Sequence, residues 1–116
     1  MRTRGKRVYC DGHWFGSGLE MRHYQDLVLR EKAGEISDLR VHPKFVLAPA
    51  VRLGGRRKPK LTFEADFSYM ENGELVVCDV KPRDRKTGKW IVTAVYRVKK
   101  HLMMSVHGIE VVEVGV

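Results

Sequence analysis

The sequence predicts a small α/β domain of the α+β type, with one helix before three strands and a second helix before the last strand. Its 116 residues suffice for one hydrophobic core but not for two. Two segments combine the helical spacing of apolar residues with capping residues, and the segments between them contain the alternating or short apolar runs of strands. We therefore expect a single domain over residues 1–116, in the element order α-β-β-β-α-β.

The balance of charge favours a polyanionic partner. The formal net charge is +8, which indicates nucleic acid ahead of an anionic membrane surface. No apolar run approaches the roughly 20 residues that cross a bilayer, and the start of the chain lacks the apolar stretch of a signal peptide. The chain has only two cysteines, so reduced thiols and a cytoplasmic location are expected. Residues 1–9 are expected to form a flexible basic arm.

The first helix is predicted to begin after Ser17 and to run to about Ala33. Its start fits the S-x-x-E capping box, and Gly34 supplies a left-handed cap at its end. Glu20 lies four residues before Tyr24 and continues the buried stripe of the helix. Two interpretations of Glu20 follow: its carboxylate caps the helix by bonding back to the Ser17 amide, or it projects toward the sheet and joins a metal cluster.

Extended structure is predicted over residues 36–51, where Pro43 and Pro49 exclude a helix and suit an edge or bent strand. A glycine-led loop is predicted next, over residues 54–60. It is either a solvated loop or a phosphate contact, and the density of charge favours the phosphate contact. The basic residues concerned are Arg56, Arg57, Lys58 and Lys60.

Residues 61–82 are predicted to form two strands joined by Asn72-Gly73, a dipeptide typical of a type I′ turn. With these two residues in the turn, Asp66 lies directly opposite Asp79 on one face of the sheet. Two opposed carboxylates repel each other and weaken a hairpin. A divalent cation between them would compensate for that repulsion.

The second strand of this hairpin is apolar on both faces, so Asp79 is an acid at a buried position. Lys81 lies two residues further on and emerges on the same face of the sheet. A structural alternative exists for Lys81, because the same register places Glu64 opposite it and permits a cross-strand ion pair.

A second basic turn is predicted over residues 83–89 and would also contact phosphates, through Arg83, Arg85 and Lys86. A second helix is predicted from Thr93 as its N-cap to Gly108 as its C-cap. Lys99 is expected on its polar side or flank and is counted among the residues that would bind nucleic acid. The apolar stripe that should face the core is Val95, Val98, Leu102 and Val106. The last strand is predicted over residues 109–114.

The acids of these elements predict a metal site for phosphodiester hydrolysis. Glu20, Asp66 and Asp79 offer hard oxygen ligands for Mg²⁺ or Mn²⁺, and the backbone carbonyl of Val80 could add another. Such an ion lowers the pKa of a water and neutralises charge on phosphoryl oxygens. Lys81 would orient or deprotonate the attacking water. The five histidines do not cluster in the sequence, and none is assigned to the site.

The spacing Asp66-x12-Asp79-x-Lys81 resembles the signature of the PD-(D/E)XK nuclease superfamily, and the helix acid Glu20 matches it as well. Several blocks resemble small phage-encoded Holliday-junction resolvase-like endonucleases more closely: VYCDGHWFGSGLE, LREKAGEISDLRVHPKF, FEADFSY, VVCDVKP and the segment from Tyr96 to Leu102. Two positions depart from the common pattern, since Ala65 replaces a proline and Asp79 stands where glutamate is commoner.

The resemblance implies a restriction-endonuclease-like core, with a mixed four-stranded sheet flanked by helices. It also implies that Glu20, Asp66 and Asp79 are metal ligands, that Lys81 is the catalytic lysine, and that Tyr96 and Lys99 support them. The expected activity is metal-dependent cleavage of branched DNA by a homodimer, because a four-way junction needs two symmetric cuts. The alternatives are a nicking or mismatch-type endonuclease of the same fold and a basic nucleic-acid-binding protein without catalysis.

Overall fold

The computed structural model describes residues 7–82, 84–89 and 91–115. The elements that these residues form are, in chain order, β1 Val8–Cys10, β2 His13–Phe15, α1 Gly18–Lys32, β3 Ser37–Val41, β4 Lys44–Ala48, β5 Val51–Leu53, β6 Arg56–Lys58, β7 Leu61–Glu64, β8 Phe67–Glu71, β9 Glu74–Lys81, α2 Ala94–His107 and β10 Val112–Gly115. Neither helix in this part of the chain is long and apolar enough to cross a membrane.

A mixed four-stranded sheet forms the centre of the fold, in the order β10-β9-β8-β3. β9 pairs antiparallel with β8 and parallel with β10. Consecutive residues of β9 point to opposite faces, so Cys78 joins a hydrophobic cluster with Tyr24 and Leu27 of α1, whereas Val77 joins a second cluster with Tyr96 and Met103 of α2. The helices therefore cover opposite faces of the sheet, and the predicted α+β class with a mixed four-stranded sheet is confirmed. The predicted element order is wrong, because in the part of the chain that the structure describes β1 and β2 precede α1 and seven strands, β3 to β9, lie between the helices.

The predicted hairpin register is confirmed for β8 and β9. Phe67 lies opposite Cys78 and Glu71 lies opposite Glu74, with the turn made by Asn72 and Gly73 at φ of +52° and +79°. Positive φ at both turn positions is what a type I′ turn requires.

The first strand of the hairpin is not continuous, which the sequence did not predict. β7 separates from β9 and pairs with β4, so that Glu64 lies opposite Lys44, and these side chains approach to 4.0 Å. β3 and β4 pair with β8 and β7 in one continuous antiparallel register, so that Val41 lies opposite Phe67 and Lys44 lies opposite Glu64. The structural alternative for Lys81, an ion pair with Glu64, is therefore wrong, because β7 bends away from β9 with its antiparallel partner.

The caps of α1 are confirmed. Ser17 Oγ accepts the Glu20 N–H at 3.2 Å, and Gly34 follows the helix at φ of +79°. The Glu20 carboxylate does not bond to the Ser17 amide, however; its Oε2 lies 3.4 Å from the Gly16 N–H. Glu20 is thus free to extend past the first turn of the helix.

The caps of α2 are also confirmed, at Thr93 and at Gly108. The predicted apolar stripe is wrong for Val95, Val98 and Val106, which are at least half exposed, whereas Leu102 packs against the core. The residues of α2 that are buried are Tyr96 and Met103, which have the same seven-residue spacing on another face. These two larger side chains fill the space above Val77 and Phe63, whereas the smaller valines face outward.

Three further differences concern the connections between elements. Residues 54–60 do not form a simple loop, since Gly54 and Gly55 join β5 and β6 into an exposed two-stranded hairpin. Within the predicted basic arm, residues 8 and 9 belong to β1, and residues 1–6 lie outside the described residues. The last strand begins at Val112, three residues later than predicted.

Candidate metal centre

The candidate site lies where β7 and β9 separate. The backbone ladder of β8 with β9 ends here, at Phe67 and Cys78, and side-chain bonds take its place. The Asp66 N–H donates to Asp79 Oδ1 at 2.9 Å, and the Val80 N–H donates to Asp66 Oδ2 at 2.7 Å. Because buried backbone N–H groups require acceptors, this reciprocal pair fixes both carboxylates at the opening between the strands.

Asp66 and Asp79 are adjacent acids in a largely desolvated place, as their opposed positions predicted. Burial, followed by the negative charges of Asp79 and Glu20, raises the pKa of Asp66 to about 7. The Val80 N–H and the charge of Lys81 oppose this rise without cancelling it. The cluster therefore lacks positive charge, which is the electrostatic condition that a bound cation relieves.

Glu20 reaches this opening from α1 and meets a residue that the sequence did not identify. His42 Nε2 lies 3.7 Å from Glu20 Oε2. One ligand atom from each of Glu20, His42 and Asp66 lies within 4.8 Å of the other two. Two carboxylate oxygens and one imidazole nitrogen at these separations could hold a single metal ion.

His42 was not predicted because its position depends on strand pairing. It lies between β3 and β4, opposite the bend between β7 and β8. Its backbone N–H donates to the Asp66 carbonyl at 2.9 Å. The neighbouring Pro43 carbonyl accepts the Ala65 N–H at 3.0 Å. The register that places His42 beside Asp66 joins residues 24 positions apart, and no pattern in the sequence indicates it.

Asp79 and Lys81 form the second half of the site. Lys81 Nζ lies 3.0 Å from Asp79 Oδ2, and both side chains are largely buried. The same Nζ lies 3.6 Å from the centre of the Tyr96 ring, in cation–π contact. Asp79 adjoins Asp66 but lies outside the group of three ligand atoms, because its oxygens face Lys81 and the Asp66 N–H.

Tyr96 is in turn held by the last strand. Its hydroxyl donates to Glu113 Oε2 at 2.8 Å, and Lys100 Nζ lies 3.0 Å from the same oxygen. Glu113 sits beside Asp79 in the parallel register of β10 and β9. Burial and the bond to Glu113 raise the pKa of Tyr96, so this hydroxyl stays protonated and keeps donating. Tyr96 was expected to support the site, whereas Glu113 and Lys100 were not assigned to it.

An open pocket of 470 Å³ gives access to this site. Its lining includes Glu20, His42 and Asp66 together with Arg7, His13 and Trp14, but not Asp79 or Lys81. A larger hollow of 650 Å³ runs along β3, but the charged pair beside it, Asp38 and Arg40, is exposed and mutually paired. The carboxylates of Glu20 and Asp66 therefore face the smaller pocket.

The remaining predicted residues lie in various places. Val80 contributes its N–H to Asp66, and a role for its carbonyl as a ligand stays a prediction. Lys99 is half-buried on α2. Arg83 lies outside the described residues. The exposed basic residues are Arg56, Arg57 and Lys58 on β6, Lys60 after it, and Arg85 and Lys86 in the turn whose amides bond to Asp84.

Comparison with known proteins gives a family but no activity. No curated protein and no solved structure matches the chain. A family model does match, over residues 1–111, which is nearly the whole sequence. The chain therefore belongs to the family DUF1064, described as proteins of unknown function.

Proposed function

We propose that this protein is a metal-dependent DNA endonuclease with a restriction-endonuclease-like core, which cuts branched DNA such as four-way junctions during phage recombination or genome processing. The observation that carries the proposal is the convergence of Glu20, His42 and Asp66 within 4.8 Å, next to the Asp79–Lys81 pair. A metal-binding group beside a buried lysine supports phosphodiester hydrolysis better than it supports a purely structural role.

The donor set fits a divalent ion such as Mg²⁺ or Mn²⁺. When bound, the ion supplies positive charge to the phosphoryl oxygens and lowers the pKa of a water molecule. The raised pKa of Asp66 supports this fit, because a buried carboxylate without enough positive charge around it favours its protonated form. The reciprocal hydrogen bonds of Asp66 and Asp79 keep the ligands in place before any ion arrives.

Lys81 acts on the substrate side of the same reaction. Its ammonium group can donate to a phosphate oxygen or to the water whose oxygen attacks phosphorus as the P–O ester bond breaks. Asp79 and the Tyr96 ring hold this group from two sides. A fixed cation needs little reorganisation as negative charge develops on the phosphoryl group.

The basic surface would bind the DNA backbone without reading its sequence. The β5–β6 hairpin and the turn at residues 84–89 are exposed and carry most of the basic residues that the sequence singled out. Contacts of this kind position a duplex but do not distinguish bases. Specificity for junctions would then come from the shape of the DNA and from the spacing of two active sites in a homodimer.

Cleavage assays with matched DNA substrates test the proposal. A labelled four-way junction and a linear duplex of the same arm sequence are incubated with the protein in Mg²⁺, in Mn²⁺ and in EDTA. We expect cleavage of the junction with either metal and none in EDTA. Asp79→Asn should abolish cleavage while keeping an acceptor for the Asp66 N–H, and Glu110→Gln, an exposed acid on the surface, should cleave normally.

Two results would contradict different parts of the proposal. Binding of DNA without metal-dependent cleavage would exclude the nuclease and leave a nucleic-acid-binding protein. Cleavage of the linear duplex as fast as the junction would exclude the preference for branched DNA. Nicking of the junction on one strand only would favour the nicking type of endonuclease.

A further inference from the structure

The ring of His42 is held in place by more than its contact with Glu20. Its backbone N–H donates to the Asp66 carbonyl at 2.9 Å, and its ring packs on Phe15 with 5.8 Å between centroids. The backbone has φ of +55° directly before Pro43, in a region that residues other than glycine seldom adopt. Such conformations persist only where the surrounding structure imposes them, and they concentrate at functional sites.

The distance between His42 and Glu20 does not indicate a completed pair. His42 Nε2 and Glu20 Oε2 are 3.7 Å apart, which exceeds the length of a hydrogen bond. Both atoms belong to the group that converges with Asp66. A separation of this size suits two ligands that share an ion better than it suits a direct bond between them.

An imidazole nitrogen changes which ion the site prefers. Mg²⁺ is bound through oxygen ligands and retains several waters. Imidazole suits first-row transition ions, and Mn²⁺ is a first-row transition ion that carboxylates also suit. Two carboxylates with one imidazole therefore match Mn²⁺ better than Mg²⁺.

We propose that His42 is the third protein ligand of this metal site and that its nitrogen makes the site select Mn²⁺ over Mg²⁺. The inference rests on the proposed function, because it concerns the same site. Its test needs neither DNA nor cleavage. It distinguishes His42 from His13, which lines the same pocket but lies outside the group of ligand atoms.

Pulsed electron paramagnetic resonance of bound Mn²⁺ detects a directly coordinated ¹⁴N nucleus. The signal is measured with the whole chain as wild type, His42→Asn and His13→Asn. Asparagine is chosen because it tolerates the positive φ at this position. We expect the nitrogen signal in the wild type and in His13→Asn, and its loss in His42→Asn.

Calorimetry of the same three proteins with Mn²⁺ alone and with Mg²⁺ alone measures the selectivity. Since loss of an outer partner of a metal ligand already costs about tenfold or more in affinity, we expect His42→Asn to weaken Mn²⁺ binding by at least that factor. The affinity for Mg²⁺ should change much less. Equal losses for both ions would overturn the assignment of selectivity to His42.

The absence of a nitrogen signal in the wild type, or its persistence in His42→Asn, would overturn the ligand assignment. If circular dichroism shows that His42→Asn does not fold, the His13→Asn protein labelled with [¹⁵N]histidine replaces it. The label should remove the ¹⁴N signal if a histidine is the ligand. An unchanged ¹⁴N signal would contradict the inference. Mn²⁺ binding without a nitrogen signal rejects this inference and leaves the nuclease standing. A nitrogen signal in a protein that cleaves no DNA supports the ligand assignment and rejects the nuclease.

Discussion

At the scale of the residue, Asp66 connects the electrostatics of the site to the stability of the chain. Its pKa in the folded protein is about 7, above the ordinary value of 3.8. The folded state therefore binds this proton more tightly than the unfolded state does. The stabilising contribution is present at pH values below about 4 and is lost as the pH rises toward 7, so at pH 8 without metal the charged carboxylate opposes folding.

Asp66→Asn is expected to stabilise the metal-free protein at pH 8. The amide keeps an oxygen for the Val80 N–H but removes the charge that faces Asp79 and Glu20. A gain of roughly 1 kcal/mol would raise Tm by about 4 °C in a domain of this size. Thermal melting in EDTA at pH 5 and pH 8 measures it, and the difference between wild type and variant should shrink at pH 5.

The same variant should lose the stabilisation that Mn²⁺ gives to the wild type, because a ligand has gone. Glu110→Gln serves as the control, since it also removes one carboxylate but at an exposed position. An Asp66→Asn protein that melts below the wild type in EDTA at pH 8 would show that the Asp66 charge does not oppose folding.

Lys81→Met is expected to separate metal binding from cleavage. It removes the cation but retains a long apolar stem beside Tyr96. The carboxylates of the metal group remain, so Mn²⁺ should still raise Tm, while junction cleavage should fall below detection. Loss of a largely buried partner should also destabilise the fold by roughly 3 kcal/mol, which thermal melting checks.

Lys100→Met is the matched control for Lys81→Met. Lys100 lies 3.0 Å from Glu113, the same distance that separates Lys81 from Asp79, yet its partner accepts from Tyr96, whereas Asp79 accepts from the Asp66 N–H. We expect it to retain most of the cleavage activity. Comparable loss in both variants would mean that the chemistry does not depend on Lys81 in particular.

At the scale of the element, the β5–β6 hairpin has a charge pattern that works against its own folding. Arg52 lies directly opposite Arg57, and like charges at paired positions destabilise a ribbon. All six strand residues are exposed, so little burial offsets this cost. A two-stranded ribbon of this kind fits the major groove of a duplex, where phosphates would neutralise the two arginines.

The double variant Arg52→Gln/Arg57→Gln is expected to weaken DNA binding and to reduce its dependence on salt. Each lost phosphate contact lowers the slope of log K against log salt by about 0.9, so the slope should fall by about 1.8. The control Arg22→Gln/Lys32→Gln removes two exposed charges from α1 and should leave the slope unchanged. Fluorescence anisotropy with a labelled junction over a range of salt measures both, and equal slopes for the two variants would exclude the hairpin from the DNA interface.

Helix α2 shows how far local patterns determine an element. Thr93 and Gly108 define its ends through bonds within a few residues, and both were predicted. Which face of α2 is buried, the one with Val98 or the one with Tyr96, was not predicted, because the apolar residues of each face have helical spacing. Contact with Phe63 and Val77 from distant strands decides it.

At the scale of the whole molecule, the sheet brings the predicted site residues together from four separate elements. Glu20 comes from α1, Asp66 from the bend before β8, Asp79 and Lys81 from β9, and Tyr96 from α2. The two helices lie on opposite faces of the sheet, and the site lies at the end of the β8–β9 pair, where β7 and β9 diverge. A short chain can build a composite site in this way without a second domain.

A homodimer is the assembly expected for symmetric cutting of a junction. Light scattering coupled to size-exclusion chromatography should give twice the mass of one chain at the concentrations used for cleavage. A single-chain mass under conditions where both strands of the junction are cut would contradict the paired-site arrangement.

The sequence by itself determined the features that depend on neighbours along the chain. Asn72-Gly73 set the turn and the register of β8 with β9, which brings Asp66 beside Asp79, and the capping residues set the ends of both helices. Only the tertiary structure decided that β7 leaves β9, that His42 joins the acids, and which face of α2 is buried. Each of these depends on pairing or packing between residues far apart in the chain, where many arrangements satisfy the local patterns equally well and the fit of the whole core selects one.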